Sequence, residues 1–237
     1  MNRHLQQLLV SAAAALSVAS ANATIATVFN SIPIGTANFN ATVAAAAGVV
    51  SSDTLSGLAA GASIVRADYT ITKNDSSTLF PGTYGAMTGE VVDISPSGSG
   101  PGIGAVGSGI KFAFSTPVNA LGFEVGDWGT CCQPSALYIA FDSGAPIQVG
   151  LSSGFGDVFF NGAAEVFVAA FDDSGDFSTV QFWGDGFGEF LVAGGTVRYA
   201  LLEQGSLPGG KVPEPGSLAL ACLGLAGLAA ARRRKNA

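Results

Sequence analysis

The chain is short of the residue types on which most enzymes depend. Its 237 residues hold one histidine (His4), three cysteines and only 11% charged side chains. With no histidine beyond position 4, the body cannot build a Ser-His-Asp or Cys-His nucleophile, nor a histidine-ligated zinc or iron site. No Cys-x-x-Cys pair is present, so the usual thiol redox and zinc spacings are missing too. The Gly-rich stretch from Gly98 to Gly109 lacks the Lys-Ser/Thr ending of a phosphate loop and reads as a plain loop. Basic residues are scarce in the body. Residues 24–211 contain sixteen acidic against five basic side chains, a net of about −11. A body of that sign repels nucleic acid phosphate and anionic lipid, which excludes nucleic acid as a partner.

Glycine is plentiful, with 33 residues, about twice the usual 7% share. The mean hydropathy of +0.44 is high. A membrane protein and a soluble domain with hydrophobic ends both fit these values, and the ends favour the second. Residues 1–23 read as a secretory leader: Arg3 and His4, an apolar run Leu8–Ala19, then two small-x-small exits. The run is too short to cross a bilayer of about 30 Å. Cleavage is expected after Ala23, with Ala21 the second choice. A buried N-terminal helix is the structural alternative.

The other end has three parts. Val212-Pro213-Glu214-Pro215 comes first, and its prolines stop a helix or central strand. The uncharged run Leu218–Ala231 follows, fourteen residues of Leu, Ala, Gly and Cys222. As a helix it covers about 21 Å, a marginal span. Arg232, Arg233, Arg234 and Lys235 then hold the terminus on the cytoplasmic side. Both ends therefore place residues 24–211 outside the cytoplasm. In order, spacing and position this tail resembles the PEP-CTERM sorting signal of Gram-negative bacteria. The resemblance implies recognition of Val212, Pro213, Glu214 and Pro215 by an exosortase-type processing enzyme. It further implies export through the general secretion machinery and a transient stay in the inner membrane. Release to the cell surface or extracellular matrix would follow, with polysaccharide as a partner. A plain single-span anchor with a Pro-rich stalk is the alternative.

Between the ends, no repeat is visible, and short apolar runs alternate with Gly, Ser, Pro, Asp and Asn. Strands are expected at Ala26–Phe29, Ser63–Thr72, Gly89–Ile94, Ile110–Phe114, Ala120–Val125 and Ala136–Phe141. Others are expected at Ile147–Val149, Val158–Phe160, Val166–Phe171, Thr179–Trp183 and Thr196–Leu202. In Ser63–Thr72, alternation puts Ile64, Arg66, Asp68 and Thr70 on one face and Val65, Ala67, Tyr69 and Ile71 on the other. Ala41–Ala60 would make a poor helix. The expected fold is all-β, a β-sandwich or jelly roll flanked by an N-terminal signal helix and a C-terminal short transmembrane helix. Its divisions are a leader at 1–23, a body at 24–204, a linker at 205–211 and a sorting tail at 212–237. The stretch from Phe112 to Tyr199, with Ala120-Leu121-Gly122-Phe123, resembles the jelly-roll domain common in PEP-CTERM cargo. It departs from that pattern at Leu191-Val192-Ala193-Gly194, where such domains often carry a carboxylate pair.

Four groups in the body could carry chemistry. Asp172, Asp173 and Asp176 could hold Ca²⁺ through hard oxygen ligands, or serve as turn residues. No other cofactor is expected. Trp128 and Trp183 could stack on a sugar, or pack the core. Asp127, Asp185 and Glu189 could pair as in a glycan hydrolase, although the body reads as non-enzymatic. Cys131 and Cys132 could form a strained vicinal disulfide, bond to other molecules or remain thiols.

Overall fold

The computed structural model describes residues 24–94, 109–128, 134–142, 144–153, 165–184 and 191–207. Cys131, Cys132, Asp185, Glu189, the Val158–Phe160 run, the leader with Ala21 and Ala23, and the sorting tail lie outside them.

Two antiparallel sheets pack face to face. The first contains β1 (Thr24–Phe29), β11 (Val166–Asp172), β8 (Ala120–Gly126), β13 (Val192–Ala200), β6 (Val91–Asp93) and β5 (Pro81–Gly82) in that order, and β2 (Ser51–Thr54) also pairs with β13. The second runs β10 (Ile147–Ser152), β9 (Ser135–Phe141), β12 (Phe177–Gly184), β7 (Ile110–Val118), β4 (Tyr69–Lys73) and β3 (Ser63–Val65). Alternation supplies the core: Phe123 and Val125 of one sheet meet Phe112, Ile139 and Phe182 of the other in a single cluster. The rings of Phe123 and Phe182 lie 4.0 Å apart by centroid.

The expected Ser63–Thr72 strand is a hairpin. Ser63 pairs with Thr72 and Ile64 with Ile71, and the Arg66 N–H closes the turn on the Tyr69 carbonyl at 2.8 Å. The reversal brings Ile64, Tyr69 and Ile71 into one core, so the two faces read from simple alternation do not hold. The turn carries no Gly or Pro, which is why an apparently unbroken period-two pattern hid it.

The helix starts earlier than expected and shares only residues 41–45 with the Ala41–Ala60 stretch. α1 (Ile32–Ala45) starts after Ser31 with proline in its first turn and buries Ile32, Gly35, Phe39 and Val43. That stripe covers the outer face of the first sheet. Phe39 stacks on Phe171 at 5.2 Å and meets Phe167 edge-on at 6.2 Å. Gly35 is needed there, because a Cβ would collide with the Phe167 side chain. Among the described residues, no helix is long and apolar enough to cross a membrane.

The register of β13 against β8 shifts between Gly194 and Arg198. Gly195 has φ +65° and its missing Cβ leaves room for Glu124. Glu124 is fully buried. Its carboxylate accepts the Thr88 N–H (2.7 Å), the Thr88 hydroxyl (2.5 Å) and the Thr196 N–H (3.2 Å). A buried carboxylate is tolerable only with donors of this kind.

Candidate functional site

Few charges are set into the sandwich; besides Lys73 of β4, which reaches Asp93 of β6 at 3.8 Å, two clasps of side chains use them to join its sheets. Arg66, in the β3–β4 turn, grips Asp53 of β2 through Nε (2.7 Å) and Nη2 (2.5 Å). The Tyr69 hydroxyl of β4 donates to the same carboxylate at 2.7 Å. In the opposite sense, Tyr199 of β13 donates to Asp68 of the turn at 2.5 Å. The Tyr69 and Tyr199 rings meet edge-on at 5.9 Å, and Tyr199 lies 5.5 Å from Phe114. The hydrogen bond from Arg66 holds the Asp53 carboxyl below its usual range. Burial, then the hydrogen bonds to Asp53 and Asp68, push the Tyr69 and Tyr199 phenols well above theirs.

A cleft of about 220 Å³ opens beside the second clasp, lined by Val49, Ser51, Asp68, Phe114, Tyr199 and Leu201 among others. Val49 and Leu201 are exposed aliphatic walls, 83% and 57% accessible. A carboxylate next to hydroxyls and apolar walls suits a neutral group rich in hydroxyls and disfavours an anion.

The clasps also give a pH dependence. A phenol with a raised folded-state pKa contributes stability that is complete below the unfolded value of about 10 and is lost as pH rises beyond it. Tyr69 and Tyr199 are therefore expected to ionise only as the sandwich opens. Measured at 295 nm up to the alkaline unfolding transition, the Tyr199→Phe variant should show the same phenolate absorbance rise as the parent. A smaller rise in the variant would contradict this.

The other described acids are largely taken up by the fold's own donors. The loop from Tyr84 to Thr88 is tied at three points: its Tyr84 hydroxyl to Asp127 (2.8 Å), its Ala86 N–H to Glu165 (3.0 Å), and Thr88 to Glu124. Asp127, proposed from sequence as a hydrolytic carboxylate, is thus a loop anchor. Asp142 accepts the Ser178 and Thr179 N–H groups at 3.0 and 2.9 Å.

The calcium candidates behave similarly. Asp172 accepts the Ser174 N–H (2.9 Å), the Ser174 hydroxyl (2.7 Å) and the Gly175 N–H (3.1 Å), a side-chain-capped turn. Asp173 points to a different element and accepts the Leu207 N–H at 3.1 Å. Among the described residues no three His, Cys, Asp or Glu side chains gather as a metal set, so Asp172, Asp173 and Asp176 do not converge.

Both tryptophans are buried, with 0% and 1% exposure, so neither offers a stacking surface. Trp128 belongs to the main core and its indole N–H donates to the Ser135 carbonyl at 3.0 Å. Trp183 pairs with Tyr138 across β12 and β9, next to the core pair Phe182 and Ile139. It therefore lies on the sheet's outer side, stacked on Tyr138 at 5.9 Å in a small cluster with Ala136 and Ala140. Among the described residues its indole N–H has no hydrogen-bond partner. Sequence reasoning missed Asp53, Arg66, Asp68, Tyr69 and Tyr199. The available signal was a charged pair, Arg66 and Asp68, interrupting an apolar run in a body with five basic residues.

Comparisons with known proteins give one motif and a distant fold likeness. Residues 211–235 match the family model of the PEP-CTERM protein-sorting motif. No curated protein sequence matches the chain. Among solved structures, a xylan-binding module is 12% identical with a TM-score of 0.37, covering 66% of this chain and 99% of that one. A family 29 carbohydrate-binding module is 12% identical with a TM-score of 0.34, covering 68% of this chain and 94% of that one.

Proposed function

We propose that this chain, which carries the PEP-CTERM protein-sorting motif at residues 211–235, is an exported protein whose tail is read and removed by an exosortase-type enzyme. The body is thereby delivered to the cell surface or its polysaccharide matrix. The sorting motif is the observation that carries the reading. The general secretion machinery would engage residues 1–23, and residues 218–231 would hold the precursor in the inner membrane. The body's role is non-enzymatic, structural or binding. Support for that comes from Asp127, Asp142, Asp172 and Glu124, which serve as acceptors for backbone and hydroxyl donors of the fold. A polysaccharide ligand is favoured by the cleft beside Asp68 and Tyr199, whose carboxylate, hydroxyls and aliphatic walls match a neutral sugar.

A chain ending at Leu207 tests the sorting half. It keeps all the described body contacts and lacks the motif. It should fold and cross the inner membrane, yet fail to reach the surface. Surface display equal to that of the full chain would refute the reading.

A further inference from the structure

Strand register gives the sandwich two distinct poles. At one pole β1 begins, with Thr24 opposite Asp172 at the end of β11. β13 ends at the same pole, with Ala200 opposite Ala120 at the start of β8. The chain does not leave the body there at once. Buried Asn119 accepts the Leu202 N–H at 2.7 Å and donates to the Leu202 carbonyl at 2.9 Å. The Gly205 N–H then donates to the Asp173 carbonyl at 2.9 Å and the Leu207 N–H to the Asp173 carboxylate. Gly205 to Leu207, read from sequence as the start of a linker, are thus held to the body. Asp172 and Asp173 are consecutive, so the start of β1 and the stem after β13 meet on one turn.

The opposite pole is built differently. Gly126 and Val192 are partners there, as are Val125 and Val166 in the first sheet. In the second sheet Phe182 pairs with Ile110, Gly184 with Leu137 and Leu151 with Ala136. The connections from Ile94 to Gly109, Trp128 to Pro134, Ser153 to Glu165 and Gly184 to Leu191 therefore all leave and return at this second pole.

We propose that, while the tail is in the membrane, the Thr24–Asp173 pole faces the lipid surface and the pole of Gly126 and Gly184 faces away from it. The inference rests on reading residues 211–235 as a sorting signal with a membrane run. Its physical basis is tether length. The recognition tripeptide starts six residues after Leu207, within about 22 Å at full extension. The apolar run starts eleven residues after Leu207, a root-mean-square span of about 18 Å for a flexible chain. A nine-residue strand such as β13 is about 30 Å long, so the far pole lies a further strand length from the stem. The leader also joins the body at the near pole, so it restrains the same orientation until it is cut. Removal of the tail frees the near pole, and with it the cleft walls Val49 and Leu201 beside the stem.

The test uses the full chain with Cys131, Cys132 and Cys222 changed to serine, in phosphatidylcholine vesicles doped with a headgroup-nitroxide lipid. One fluorophore is attached at Val49→Cys, near the first pole, or at Leu151→Cys, near the second. Both sites are exposed, at 83% and 43%, and unchanged circular dichroism checks the fold. Quenching should be severalfold stronger at position 49, and a flexible Gly/Ser insertion after Leu207 should bring the two values together. Equal quenching in chains that float with the vesicles overturns the orientation alone. Chains that do not float overturn both the orientation and the reading of residues 218–231 as a membrane run.

Discussion

Replacing Trp128 with alanine is expected to destabilise the body by about 3–5 kcal/mol, the usual range for removing a buried large aromatic. For a domain of this size that lowers the melting temperature by about 10 °C. Two costs combine. The indole is fully buried in the main cluster with Phe123, Phe182 and Val125, so truncation leaves a cavity. Its N–H also satisfies the Ser135 carbonyl, which then loses its indole donor. Thermal unfolding by circular dichroism measures the effect, with Leu201→Ala as an exposed control expected to stay within about 0.5 kcal/mol. A Trp128→Ala variant as stable as the parent would return Trp128 to the surface and reopen its reading as a sugar platform.

Replacing Pro213, Glu214 and Pro215 together with alanine is expected to abolish processing and surface delivery while leaving the body intact. The two prolines fix φ and remove backbone donors, and each biases the residue before it toward an extended form. They hold the segment ready for a peptide-cleaving partner. Trialanine permits a helix continuous with the apolar run, which would withdraw the segment from such a partner. The body should not respond, because its last described contact with the stem is Asp173 to Leu207. Cell fractionation and immunoblotting should find a full-size, membrane-bound precursor at the expense of the shorter surface form. Unchanged processing and export would refute the role of the tripeptide.

The sequence carried the sandwich because its central strands are short, near-continuous apolar runs, buried along almost their whole length and bounded by turn residues. Ala120–Val125, Ala136–Phe141 and Val166–Phe171 lie within strands of the structure. Chain reversals and packing against glycine were less visible. The turn at Arg66–Tyr69 has no Gly or Pro and only Asp68 as a turn residue, so it passed as strand. α1 buries a stripe containing Gly35, a poor helix former whose value lies in its approach to Phe167. That benefit comes from a partner more than a hundred residues away in sequence. Ser31 with Pro33 was the local start signal, outweighed by the more conspicuous alanines of 41–60. The acidic residues looked like ligands because their surplus is large. Only tertiary structure shows that loop 84–88, the 172–176 turn and the inter-sheet clasps consume them. The tail differs again: its three parts are contiguous, so their order could be read without a fold.

The most direct measurement of the sorting account is the intact mass of the protein recovered from the surface of cells that express the full chain with an exosortase-type enzyme. The account predicts a species that lacks residues 1–23 and ends near Val212–Pro215, without the apolar run and the Arg232–Lys235 cluster. A surface species that still carries residues 218–235, or a protein confined to the inner membrane at full C-terminal length, would contradict it.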